Sequence, residues 1–148
     1  SDLLMYNLLM GTVKTGTLEV TNPQSKENFV TLEILDSSVK DKLNYEDGRF
    51  KLIKDINVEV SISEIQGNLI VDSSVLDYIK VNKEAYINGY AEFIFNKYKE
   101  SKLDIFDIKR MKEMYYPKED IDDPLIITDL EVNTNLIIKG TGVTKDSI

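Results

Sequence analysis

The chain contains no cysteine, no histidine and no tryptophan. Without cysteine it has no disulfide, thiol nucleophile or thiolate metal site. Without histidine it has no serine–histidine–acid relay and no histidine-ligated zinc or iron site. Carboxylates, lysines and tyrosines remain as the side chains for catalysis. We therefore predict a protein that is not an enzyme, with no catalytic, cofactor-binding or metal-ligating residues and no cofactor.

Long apolar segments are also missing. No apolar run approaches the roughly 20 residues needed to span a bilayer, and no signal peptide is present. The chain starts at Ser1 without an initiator methionine. We expect any export signal or lipid anchor to lie upstream of this residue.

The overall composition is that of an ordinary globular protein. Of 148 residues, 42% are hydrophobic and 30% are charged, which predicts one domain over residues 1–148 with a real core. The formal net charge is -8. This acidity argues against nucleic acid or anionic lipid as a non-specific partner, and solubility is its simplest explanation.

Alternation of apolar and polar residues predicts the strands. Residues 17–21 form the first candidate, and a long antiparallel hairpin follows with Asp47 and Gly48 in its turn. The last strand covers residues 130–139. Ile56 shares the even-numbered alternation of the second hairpin strand. The predicted buried face consists of even-numbered positions: Val30, Leu32, Ile34, Phe50, Leu52, Val58, Val60, Ile62, Leu136 and Ile138.

Helical spacing predicts a long helix that is capped by Ser73 or Ser74 and continues to Tyr98, with Lys83 as the one polar interruption of its apolar face. We interpret Gly89 as a close approach of this helix to the sheet, with a kink as the alternative. A shorter helix is predicted over residues 104–116, and residues 3–10 are helix-compatible. The predicted fold class is α+β: an antiparallel β-sheet of about four strands with a long and a shorter α-helix packed on one face.

The densest carboxylate group is an acidic loop. It lacks the turn glycine and the distal glutamate of a calcium loop, so we interpret it as solvated and expect no metal site. Its members are Glu119, Asp120, Asp122 and Asp123. Asp104 and Asp107 have helical i, i+3 spacing, and helix capping explains them better than acid–base chemistry.

Tyrosines and glycines provide two further candidate sites. A tyrosine platform for a sugar is conceivable, but Tyr86, Tyr90 and Tyr98 have the spacing of helix core positions. Residues 140–142 (GTG) lack the lysine and the helix of a phosphate-binding loop. We interpret them as the end of the last strand.

The order of several short segments along the chain is more informative about the protein's family than any single residue. They are residues 30–40 (VTLEILDSSVK), 58–64 (VEVSISE), 97–100 (KYKE), 103–106 (LDIF), 116–118 (YPK) and 132–137 (VNTNLI), with Gly142. In order and spacing they resemble the carboxy-terminal domain of the C subunits of spore nutrient germinant receptors, the Ger(x)C germination lipoproteins. The resemblance covers residues 14–142.

The resemblance implies a non-enzymatic subunit domain that acts in spore germination by protein–protein assembly. It further implies that the chain is the C-terminal fragment of a larger lipoprotein. An upstream lipid anchor would hold that lipoprotein at the outer, extracytoplasmic face of the spore inner membrane. The implied partners are the integral membrane A and B subunits, and we expect the isolated domain to be a monomer.

The chain departs from the family pattern at two places. Family members usually carry a glycine where Asp107 stands, and tryptophans follow the position of Pro117. The connection from helix to last strand should therefore differ. The alternative function is an extracytoplasmic module that binds a small ligand or a carbohydrate.

The predicted buried face can be tested by truncating one of its side chains. Val60→Ala should lower the free energy of unfolding by about 1–3 kcal/mol, because it leaves a cavity in the core. Urea denaturation measures this change. An unchanged midpoint would show that the two faces of the strand are reversed.

Overall fold

In the computed structural model of the protein, residues 2–141 are described. The elements are α1 (Asp2–Leu9), β1 (Gly16–Thr21), β2 (Phe29–Glu46), β3 (Arg49–Ile65), α2 (Ser73–Glu100), α3 (Ile108–Tyr115), a 3-10 turn (Leu125–Ile127) and β4 (Thr128–Thr141). The predicted α+β class is confirmed, as are the short opening helix and the long and shorter helices.

The strands form one four-stranded sheet in the order β1-β2-β3-β4. The β1–β2 and β2–β3 pairs are antiparallel, whereas β3 and β4 are parallel. The sheet is therefore mixed, and the prediction of an antiparallel sheet was wrong for β4. After β3 the chain crosses back through α2 and α3, so β4 starts beside the start of β3, with Thr128 opposite Phe50.

The β2–β3 hairpin is the longest feature of the sheet. Its turn contains Asp47 and Gly48 at φ 54° and 77°, the left-handed pair that a two-residue hairpin loop requires. β2 also includes the polar residues 36–46, where apolar alternation is weak. The register shifts between Ile34 and Asp36, so the extra residue Leu35 transfers the inward-facing positions from even to odd numbers.

The predicted buried face is confirmed. All its members are buried except Ile138, which is half-buried against the same core. Leu8 and Leu9 of α1, Ile79 and Ile87 of α2 and Ile108 of α3 belong to the same core. The opposite face of the sheet is polar, as shown by ion pairs of Arg49 with Asp129 and of Lys51 with Glu131.

One lysine lies in the middle of this core. Lys54 is 1% exposed and faces inward between Leu52 and Ile56. Its Nζ is 2.9 Å from Oδ1 of Asp41 on β2 and donates a hydrogen bond of 3.0 Å to the carbonyl of Leu9 at the end of α1. The same ammonium lies 4.3 Å from the ring centroid of Phe106. These contacts account for a charge that would be costly to bury without partners.

α2 differs from the prediction at its start and at its glycine. Its N-cap is Asp72, whose carboxylate accepts a hydrogen bond of 2.9 Å from the N–H of Val75; Ser73 and Ser74 are the first helical residues. Gly89 is exposed, and a Cβ built on it would have no atom within 4 Å. The helix does not approach the sheet at Gly89, so that interpretation was wrong, and Ser73–Glu100 is one uninterrupted helix.

The open space at Gly89 leads to a stability prediction. Gly89→Ala should raise the free energy of unfolding by about 0.5–1 kcal/mol, because alanine reduces the freedom of the unfolded chain and nothing opposes its methyl group. Ala85→Gly, at an exposed position of the same helix, is the matched control and should lower it by a similar amount. Urea denaturation measures both. A less stable Gly89→Ala variant would contradict the prediction.

Candidate functional site

The acidic loop lies between α3 and the 3-10 turn. All four of its carboxylates are exposed to solvent. Among the residues that the structure describes, no cluster of three or more potential ligand side chains is arranged to hold a metal ion.

Asp104 and Asp107 both lie before α3, which begins four residues later than predicted. The carboxylate of Asp104 accepts hydrogen bonds of 2.8 Å from the N–H groups of Ile108 and Lys109, which is the predicted capping role. Asp107 has φ 62° and ψ 39° and forms an ion pair of 2.6 Å with Arg110. This left-handed conformation favours glycine, the residue that the resemblance implies at this position. Aspartate is among the residues that tolerate it best.

The predicted tyrosine positions divide into two groups. Tyr90 and Tyr98 are half-buried and pack against the core. Tyr86 is 54% exposed, so its predicted place in the core was wrong. Gly140 and Thr141 end β4 as predicted, while Gly142 lies outside the described residues.

α2 covers the outer edge of β4. The Glu84 carboxylate accepts a hydrogen bond of 2.8 Å from the N–H of Leu136, and Lys80 donates one of 2.8 Å to the carbonyl of the same residue. Further along, Lys99 donates a hydrogen bond of 2.8 Å to the carbonyl of Thr128. Side chains of α2 thus occupy backbone groups of Leu136 and Thr128 that a neighbouring strand would otherwise bind, which covers part of this edge of the sheet.

β1 forms the other edge of the sheet and has no such cover. Across residues 2–140, the backbone of residues 17–21 forms hydrogen bonds to β2 and to no other element. β1 contains neither proline nor lysine, two residues that commonly protect an edge strand, and Glu19 is its one charged residue. The outward backbone groups of β1 therefore remain accessible to a further strand.

A cavity of about 620 Å³ lies along this open edge. One wall consists of residues 17–21 of β1, and Phe29 at the start of β2 extends it. α2 provides the opposite wall, with Tyr78, Lys83 and Tyr86 among its residues, and Met5 of α1 also lines the cavity. We call this cavity the β1 groove; it combines an accessible strand edge with aromatic and charged side chains.

Lys83 is the unusual residue of the β1 groove. It is 8% exposed, and its Nζ lies 4.4 Å from the ring centroid of Tyr86. Among the described residues its ammonium has no hydrogen-bond acceptor and no carboxylate at ion-pair distance. Burial lowers the pKa of Lys83, and the nearby Glu19 carboxylate offsets part of that effect. The side chain as a whole is largely buried, but its Nζ is not sealed from solvent, because no described side-chain nitrogen or oxygen is both buried and unpaired. A partly desolvated cation with no carboxylate at ion-pair distance marks a position where an anionic group would be stabilised.

Comparisons with known proteins agree with this architecture. A family model described as "Spore germination B3/ GerAC like, C-terminal" matches residues 1–142, which include the sheet and the three α-helices that the structure describes. The chain is thus a spore germination protein by class. It belongs to the spore germination B3/GerAC-like C-terminal family.

A solved structure, "Crystal Structure of the GerBC protein", has a similar fold. The TM-score is 0.77 at 19% sequence identity over 93% of this chain. The chain spans 45% of the length of that protein, and at this identity the likeness concerns the fold. No curated protein matches the chain. Within residues 2–141, no helix is both long enough and apolar enough to cross a bilayer.

The cost of the Lys83 charge can be measured in the isolated chain. Lys83→Met should raise the free energy of unfolding by about 1 kcal/mol, because methionine fills similar space without a partly desolvated ammonium. Lys97→Met is the matched control on an exposed position of α2 and should change stability by less than about 0.5 kcal/mol. Urea denaturation compares the two. A Lys83→Met variant less stable than the parent would show that the ammonium is favourably placed.

Proposed function

We propose that this chain is the carboxy-terminal domain of the C subunit of a spore nutrient germinant receptor, and that it acts by protein–protein assembly. The observation that carries the proposal is the family match over residues 1–142, which covers every described element of the fold. The similar fold of GerBC supports the same conclusion.

The distribution of polar groups favours a binding role over a catalytic one. The cavity with the most distinctive chemistry, the β1 groove, contains one buried lysine, one glutamate and two tyrosines beside an accessible strand edge. Such a surface recognises a partner through main-chain and charged contacts. In this proposal the domain is a rigid scaffold that presents binding surfaces and has no catalytic residues of its own.

The proposed site of action is the outer face of the spore inner membrane. Residues 1–148 would form a single domain at the C-terminus of a lipoprotein whose anchor lies upstream. The proposed partners are the integral membrane A and B subunits. An anchor raises the effective concentration of the domain near those subunits, so that contacts too weak to detect in solution suffice in the assembled receptor.

A deletion in the parent gene tests this function. The deletion should remove residues 1–142, because α1 packs its apolar side chains against the sheet and would be left exposed by a shorter deletion. We expect spores of this strain to lose their response to nutrients while non-nutrient triggers still cause germination. Optical density during germination gives the measurement, and an immunoblot shows whether the truncated product is made.

The parent gene with Gly89→Ala is the matched control, because this substitution leaves every described contact in place. Its spores should germinate like the unmodified strain. Normal nutrient germination in the deletion strain, with other receptors for that nutrient removed, would contradict the proposal.

A further inference from the structure

We propose that the β1 groove binds an extended peptide segment of a partner protein. The segment adds to β1 as a fifth strand of the sheet and places a carboxylate side chain against the ammonium of Lys83. This inference rests on the proposed function in one respect, since receptor assembly supplies the partner.

The two edges of the sheet differ in how many of their outward backbone groups are bound. At β4, side chains of Lys80, Glu84 and Lys99 already occupy backbone donors and acceptors. At β1, the outward backbone groups of residues 17–21 have no partner element in the described part of the chain. An added strand would form hydrogen bonds with these groups, as in the known mode of β-strand addition. The open edge thus specifies an extended backbone as the ligand.

Lys83 determines which kind of side chain the added strand should carry. In a strand added beside β1, alternate side chains point to the face of the sheet that α2 covers, next to Leu18 and Val20. Lys83 lines the groove on that side and is more than nine-tenths buried, without a close anion. An aspartate or glutamate at one of these alternate positions would form an ion pair with it that the walls of the groove partly shield from solvent. The charge of Lys83 thus specifies an acidic side chain on one face of the segment.

Glu19 and the aromatic residues further restrict which amino-acid sequences the bound segment can have. Glu19 lines the same groove and would repel a second acidic residue placed beside it. Tyr86 and Phe29 are 54% and 43% exposed, so apolar side chains of the segment can cover them. The favoured ligand has a single acidic residue between apolar or β-branched residues.

The size of the groove fits a short segment. Residues 17–21 are five residues of β1, which corresponds to about 17 Å of extended chain. An interface of this length is smaller than that of a stable complex in solution, which suits a contact between proteins held at the same membrane. We therefore expect weak but specific binding by free peptides.

Selection from a library of random seven-residue peptides displayed on phage tests the inference without a known partner. Because the chain has no cysteine, a single Glu46→Cys substitution beside the hairpin turn allows immobilisation far from the groove. We expect enriched peptides to share one aspartate or glutamate flanked by apolar or β-branched residues. Synthetic versions should slow hydrogen exchange of the outward-facing backbone amides among residues 17–21, since strand addition protects them.

Three variants of the chain identify the role of the charge. Lys83→Met should weaken binding of the selected peptides at least about tenfold, because the peptide carboxylate loses its partner. Lys83→Arg should retain most of the binding, and Lys97→Met should leave it unchanged. Peptides with asparagine or glutamine in place of the acidic residue should bind the parent chain as weakly as the original peptides bind Lys83→Met.

Four results would overturn the inference. The first is a selection without enrichment, and the second is enriched peptides that bind Lys83→Met as tightly as the parent. The third is equal binding after prolines replace the residues beside the acid, since proline lacks the N–H needed for strand addition. The fourth is a concentration-dependent dimer of the chain that Lys83→Met abolishes, which would make a second copy the occupant. These measurements use no spores, so their failure is distinguishable from failure of the germination test.

Discussion

The ammonium of Lys54 connects the helical layer to the sheet. From β3 it contacts the carboxylate of Asp41 on β2, the last carbonyl of α1 and the ring of Phe106 before α3. Phe106 stacks in turn on Phe95 of α2, with ring centroids 5.9 Å apart. One buried charge thus fixes α1, α2 and the start of α3 relative to the central hairpin. Hydrophobic packing holds these elements together, and this directional contact determines their positions.

Local patterns predicted most of the fold. Apolar alternation gave the hairpin and its buried face, and helical spacing gave the two main helices, because both signals depend on neighbours close in sequence. The parallel direction of β4 depends on where α2 and α3 return the chain, and no local pattern contains this information. The inward direction of Lys54 follows from its even position between Leu52 and Ile56. The partners that permit its burial, Leu9 and Phe106, are distant in sequence, so no local pattern reveals them.

The candidate site was less predictable than the fold. The sequence marked Lys83 as an interruption of an apolar helix face, which was the one available signal for a buried charge. It placed Tyr86 in the core, whereas this residue lies at the groove. The sheet order showed that β1 is an edge strand. The α2 side chains that bind the β4 backbone showed that the two edges differ. A strand pattern reveals which side chains face the core, but it does not reveal which strand has only one neighbour.

The length of the β2–β3 hairpin has a mechanical consequence. Each strand has 17 or 18 residues and extends over about 55 Å, and the β1 groove lies near one end, about 45 Å from the turn at Asp47. At physiological ionic strength, charges are screened within roughly 8 Å. A molecule docked at one end therefore exerts no direct electrical force on the other. Any influence between the two ends has to pass through the packed elements between them, as small displacements of the hairpin and of the helices that cover it.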